Sequence, residues 1–177
     1  MELGLAVGDE VSLEKIQALK EKSDYHKFLN FAYRYLSFRP RSEKEVDDYL
    51  KKKGADEKIR EKIISSLKEK SLLNDYDFAL WWVEQRLSFR PKGKRALRQE
   101  LRRKGVDKEI ISSVLEEKVN EVSLAKKILR RRASFWQKLP SSKRRRKETA
   151  YLLQRGFSWE TINQVVSRLV DGNKEKG

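Results

Sequence analysis

LSFRPRSEKEVDDYLKKKGAD, residues 36–56, returns fifty-one residues later as LSFRPKGKRALRQELRRKGVD, residues 87–107. Each stretch opens on Leu-Ser-Phe-Arg-Pro and closes on a leucine four residues before a glycine, an apolar residue just after that glycine, and then an aspartate. A third copy is more worn. Gly156 lies 51 residues beyond Gly105, with Leu152 before it and Phe157 and Ser158 after it. Of the opening, only Ser134-Phe135 survives, five residues early, and a short insertion precedes Pro140. Self-similarity at a fixed period of roughly 50 residues is the signature of a tandem array of small supersecondary units.

Each unit reads as three helices. Phe28, Ala32 and Leu36 are spaced i, i+4, i+8, and Ala79, Val83 and Leu87 repeat the pattern, which is one face of a helix. First helices are therefore predicted over residues 24–38, 75–89 and 123–138. A proline then interrupts, because it lacks an N–H and disfavours helix in the residue before it. The second helix begins at Ser42 with Glu45 three residues on, a capping-box pattern, and carries Val46, Tyr49 and Leu50. Gly54 is predicted to end it in the left-handed conformation open to glycine. Asp56 is predicted to cap the third helix, with stripe Ile59, Ile63 and Leu67. The second unit repeats this with Leu97 and Leu101, Gly105, Asp107, then Ile110 and Val114. The third uses Tyr151 and Leu152, Gly156, Ser158, then Ile162, Val165 and Leu169. The predicted fold is all-α: three tandem three-helix repeats in an elongated, curved arrangement, with an extra N-terminal helix over residues 12–22. The segments are 1–23, repeats 24–73, 74–121 and 122–171, and a tail 172–177. Helices this short are marginal alone and must bury their stripes against one another.

The chain is 39% charged and 38% hydrophobic, with a net charge of +15. A typical domain is about 25% charged and about 45–50% apolar, so narrow apolar stripes and wide solvated faces are expected. Residues 1–86 hold 17 Lys/Arg and 17 Asp/Glu; residues 87–177 hold 25 and 10, so the whole excess lies in the second half. Clustered positive charge attracts polyanions, of which nucleic acid is the commonest. There is no cysteine and one histidine, His26, which is expected on the surface. That excludes disulfides, thiol chemistry and a multi-histidine metal site, and no cofactor is expected. No apolar run of membrane-spanning length and no signal-peptide layout is present, so a cytoplasmic protein without a membrane partner is expected. Lys92-Gly93-Lys94 lacks the earlier glycine of a phosphate loop, since Ser88 stands there. Asp47-Asp48 and Glu116-Glu117 are neighbours that diverge around a helix. A non-enzymatic protein is the result.

The candidate binding residues are the basic clusters. Lys92, Lys94, Arg95, Arg98, Arg102 and Arg103 fall along the second helix of the middle unit, where Arg95, Arg98 and Arg102 share a face. Arg130, Arg131 and Arg132 follow on the next helix, and Lys143, Arg144, Arg145 and Arg146 lead into the last unit. A merely solvated surface is the plain alternative, but few acids lie nearby to balance it. Arg39 and Arg90, in the repeated Phe-Arg-Pro, suit helix ends, where a cation offsets the dipole. Trp81 aligns with the polar Asn30 and is a possible protein contact, with core packing as the alternative. Trp136 and Trp159 are expected to pack, or else to stack on single-stranded bases. No leftover apolar stripe is evident, so a monomer is expected.

Three segments resemble the RecX family, regulators of the RecA recombinase. The first is Tyr35-Leu36-Ser37-Phe38-Arg39-Pro40-Arg41-Ser42-Glu43-Lys44-Glu45-Val46, continuing to Leu50 and Lys53-Gly54. The second is Leu72-Leu73-Asn74-Asp75 with Phe78-Ala79, where Asn74 replaces the family's usual aspartate. The third is Arg95, Glu100-Leu101, Arg103 and Lys104-Gly105-Val106. The likeness is strong over about residues 24–120, and the last unit fits in layout. It implies a mostly negative modulator of RecA that binds in the groove of the RecA–DNA filament, spans protomers, and hinders strand exchange, repressor cleavage and filament growth. It implies RecA and single- or double-stranded DNA as partners. Members often carry a β-rich stretch before the helices, of which Gly4–Glu10 would be a remnant. A direct DNA-binding protein using a basic three-helix unit is the alternative, and a helical adaptor charged only for solubility is a third.

Overall fold

The glycines that define the period also stop the helices. Gly54, Gly105 and Gly156 have φ of 89°, 83° and 77°, the left-handed region that side chains with a Cβ rarely occupy. Past each glycine, the next amide turns back to the last helical turn: Ala55 N donates to Leu50 O, Val106 N to Leu101 O and Phe157 N to Leu152 O. A computed structural model describes residues 12–171, with side chains described up to Val166. Its described residues form nine helices and no strand. They are α1 (Leu13–Leu36), α2 (Glu43–Lys52), α3 (Glu57–Glu69), α4 (Asp75–Phe89), α5 (Lys94–Arg103), α6 (Lys108–Lys118), α7 (Glu121–Trp136), α8 (Ser141–Gln154) and α9 (Trp159–Asp171). Among them, no helix is long and apolar enough to cross a membrane. Gly4–Glu10, the tail and the side chain of Leu169 lie outside the described residues.

The chain divides into two units, Met1–Arg41 with Glu45–Leu73, and Ser42–Lys44 with Asn74–Gly177. In the first, α1 packs on α3 around Phe28, Ala32, Val46, Leu50, Ile59, Ile63 and Leu67, all predicted stripe positions. Tyr35 stacks on Tyr49 at 4.1 Å between ring centroids, and the Arg41 guanidinium covers Tyr35 at 3.8 Å. The separate helix expected over residues 12–22 merges with the first repeat helix into α1, capped by Ser12. No glycine or proline stands between them to break the hydrogen-bond ladder.

The second unit holds two cores. One gathers Phe78, Ala79, Val83, Leu97, Leu101, Ile111, Val114 and Leu115. The other gathers Ala125, Ile128, Leu129, Trp136, Leu152, Phe157, Ile162, Val165 and Val166. In α6 the buried isoleucine is Ile111, and Ile110, the predicted one, is only half-buried. Asp56 accepts from Ile59 N at 2.8 Å as a cap, Asn74 from Tyr76 N at 2.8 Å, and Ser158 Oγ from Thr161 N at 3.2 Å. Asp107 occupies the cap position of α6 but makes no side-chain cap bond, so that expectation fails. Trp159, expected to pack, is 58% exposed. It sits at the first position of α9, in line with Ile162 and Val166 by helical spacing but at the exposed end of that face.

Contacts between non-adjacent parts of the second unit recur with the repeat. Ser42 Oγ donates to Lys104 O at 2.7 Å, and Gly93 N, 51 residues on, donates to Arg155 O at 2.9 Å. Glu43 N donates to Asp75 Oδ1 at 2.8 Å, and Lys94 N to Glu121 Oε1 at 2.6 Å. In each pair the start of a second helix is capped by an acid at the start of a later first helix, which satisfies amides that a helix leaves unpaired. Glu121 also accepts from Thr161 Oγ1 at 3.0 Å.

Candidate cationic interface

α5 separates its charges from its core by helical geometry. Leu97 and Leu101 are fully buried, Arg95, Arg102 and Arg103 are exposed, and Arg98 is half-buried. Lys92 and Lys94 behave differently from the arginines. Glu100 accepts from Lys92 Nζ, from Arg86 Nε at 2.7 Å and from Trp82 Nε1 at 2.9 Å. Burial pushes the Glu100 carboxyl up, but the bonds from Lys92, Arg86 and Trp82 outweigh it and hold the group below its ordinary value. Lys94 Nζ pairs with Glu116 at 2.9 Å, and that bond depresses the Glu116 carboxyl. Both lysines of the predicted face thus hold ion pairs, Lys92 with the largely shielded Glu100 and Lys94 with the exposed Glu116.

The same division holds further along. Arg144, one of the predicted binding residues, pairs with Glu148 at 2.7 Å, and Glu148 is only 3% exposed. A buried carboxylate needs such a partner. Lys143, Arg145 and Arg146 are exposed on α8 itself rather than on a lead-in. Arg130 and Arg131 are exposed on α7, and the Arg132 guanidinium lies 4.6 Å from the centre of the Tyr151 ring. Among the described residues, Arg95, Arg98, Arg102, Arg103, Arg130, Arg131, Arg145 and Arg146 have no carboxylate within ion-pair distance. Unpaired guanidinium groups on one unit make a surface that attracts anions.

Trp81 is half-buried against the first core of its unit, 6.2 Å from Phe78 between ring centroids, and not a fully open anchor. Trp136 is buried and meets Tyr151 edge-on at 5.5 Å. His26 is exposed. Arg39 does more than sit at a helix end: its guanidinium grips Glu45 with two bonds of 2.9 and 3.0 Å. The basic-cluster reading missed the phenylalanines. Phe38, Phe89 and Phe135 are 73%, 78% and 75% exposed. The signal was present: Phe38 and Phe89 each fall two residues after a stripe leucine, about 200° around a helix from it.

Fold and surface together define an all-α repeat protein of three-helix units with a cationic second unit. Family models for the first, second and third three-helix domains of RecX match residues 29–67, 74–115 and 120–166. The chain belongs to the RecX family. Regulatory protein RecX of Oceanobacillus iheyensis is 35% identical over 171 residues, covering 96% of this chain and 63% of that protein. Regulatory protein RecX of Streptococcus uberis is 31% identical, covering 93% and 64%. This chain thus spans somewhat under two thirds of these relatives. The crystal structure of RecX from Lactobacillus salivarius superposes with a TM-score of 0.77 at 27% identity, over 84% of this chain and 97% of that one. Another crystal structure of a regulatory protein RecX gives 0.79 at 26% identity, over 93% and 83%.

Proposed function

We propose that this chain is a cytoplasmic regulator of RecA, mostly negative, that binds in the groove of the RecA–DNA filament and hinders strand exchange and repressor cleavage. The observation that carries the proposal is family membership across all three units, together with relatives named as regulatory proteins. The unpaired arginines of α5 support a contact made there with DNA phosphates or an acidic face of the filament. Lys92 and Arg144 hold the shielded carboxylates of Glu100 and Glu148 in this reading, and Lys94 pairs with Glu116 at the surface. A protein of this kind works by occupancy and not by catalysis.

Co-sedimentation with RecA–single-stranded-DNA filaments tests it, alongside strand exchange with and without the protein. Binding to filaments well above binding to bare DNA, and slower strand exchange, are expected. Replacing Arg95 and Arg102 by glutamate should weaken filament binding and lower its salt dependence, since each lost phosphate contact reduces the log–log slope by about 0.7–0.9. Equal recovery with bare DNA and filaments, or strand exchange unaffected at saturating protein, would overturn the proposal.

A further inference from the structure

Two of the exposed phenylalanines share one hollow. Phe89 ends α4 and Phe135 stands in the last turn of α7, and both line a cavity of about 520 Å³ in the second unit. Arg90, Arg131, Arg132 and Arg155 line it too, and no carboxylate does. Its wall is braced. Arg155 donates to Pro91 O at 2.9 Å and lies 4.6 Å from the Tyr151 ring centre, matched by Arg132 at 4.6 Å. Arg90 and Arg131 have no carboxylate partner among the described residues. Four guanidinium groups around one volume repel one another unless an anion enters. Two phenylalanine rings in water beside them add apolar faces that cannot hydrogen-bond.

We propose that this hollow is a stacking site for single-stranded nucleic acid, in which Phe89 and Phe135 take unpaired bases and Arg90 and Arg131 take the adjoining phosphates. Aromatic rings flanked by arginines are the common chemistry of single-strand recognition, because every base has a π-face and every linkage a phosphate. Guanidinium forks match phosphate oxygens two at a time. The volume lies in the roughly 300–1,000 Å³ range of small-ligand sites, enough for an unstacked base with its phosphate. A duplex hides its base faces and offers the rings nothing. An acidic protein segment would satisfy the arginines but not use two bare rings as fully, so nucleic acid is favoured. This site is separate from the arginines of α5 and does not depend on the RecA reading, because bare oligonucleotide is its ligand.

Fluorescence anisotropy with labelled oligo(dT), and in parallel with a hairpin duplex, tests the proposal without RecA. Wild-type protein should bind oligo(dT). Phe89→Ala with Phe135→Ala should weaken that binding by about 5- to 150-fold per stacked base and change duplex binding by less than about twofold. Arg131→Glu should weaken oligo(dT) binding and reduce its salt slope by about 0.7. Both rings are largely solvated, so the double variant should keep the wild-type melting temperature. If it does not, Arg131→Glu decides. Oligo(dT) affinity unmoved by either variant, equal losses for hairpin and single strand, or tight binding of a poly-glutamate peptide where oligo(dT) fails would each overturn it. The last outcome would assign the hollow to a protein partner.

Discussion

Gly93→Ala is the substitution that bears most directly on how the second unit holds together. Gly93 has φ −72° and ψ 164°, a conformation open to any residue, so alanine brings no backbone strain there. In a loosely packed setting the change would stabilise the protein by about 0.4–1 kcal/mol, because it restricts the unfolded chain. The local geometry predicts the opposite. A Cβ at position 93 would lie 2.4 Å from the Gly156 carbonyl oxygen and 2.5 Å from Phe157 Cα and N. These are backbone atoms and cannot rotate aside. Restoring ordinary contact, at 3.4 Å or more, requires the start of α5 and the α8–α9 turn to part by about 1 Å. That stretches the 2.9 Å bond from Gly93 N to Arg155 O past useful range. Overpacking costs about 1–3 kcal/mol, and a buried amide left unpaired about 1–3 kcal/mol. Both arise from one displacement and do not simply add, so about 3 kcal/mol is expected. For a unit of this size that is a fall in melting temperature of roughly 12–24 °C. Scanning calorimetry reads it, and amide exchange at Gly93 should speed up in the variant. A variant as stable as wild type, or more so, would show that the close approach is not real.

Gly54 and Gly156 share a positive φ but differ in surroundings. Nothing lies within 4 Å of a Cβ at Gly54, whereas one at Gly156 would meet Ala96 Cβ at 2.4 Å. Gly54→Ala should cost about 1–2 kcal/mol from conformation alone, and Gly156→Ala at least about 1 kcal/mol more, as measured by urea denaturation. Asp56→Ala should cost about 1 kcal/mol through its lost cap, while Asp107→Ala, which removes no cap bond, should cost only a few tenths in the same assay. The depressed Glu100 carboxyl sets a pH dependence. Its ordinary value is 4.5, and as pH falls below that the unfolded chain takes up the proton first. The stabilisation is therefore complete above that range and fades as pH drops through the lower folded value. Thermal melts of Glu100→Gln should lose less stability between neutral and acid pH than wild type, and parallel acid profiles would refute the linkage.

Much of the candidate surface was legible and part of it was not. The face of Arg95, Arg98 and Arg102 could be read from spacing, because i, i+3 and i+7 share a side of any helix. The commitment of Lys92, Lys94 and Arg144 to Glu100, Glu116 and Glu148 could not be read as readily. Glu148 is i+4 from Arg144 and was visible in principle, but its burial depends on how α8 lies against its neighbours. Glu116 lies on a different helix from Lys94, and only packing decides that they meet. Phe38 and Phe89 had a sequence signal in their offset from the leucine stripe. The convergence of Phe89 and Phe135 on one hollow depends on the docking of α4, α7 and α8.

The chain's own sequence determined the helices, their ends and their repetition. Apolar periodicity, glycines placed where φ must be positive, and capping residues are local interactions that act wherever the segment finds itself. It also determined that the excess charge lies in the second half. Tertiary structure alone decided which charges remain unpaired, why Gly93 must be glycine at an ordinary φ, and which aromatic rings share a cavity. Each of these depends on distances between residues far apart in the chain, and such distances are set by packing rather than by spacing.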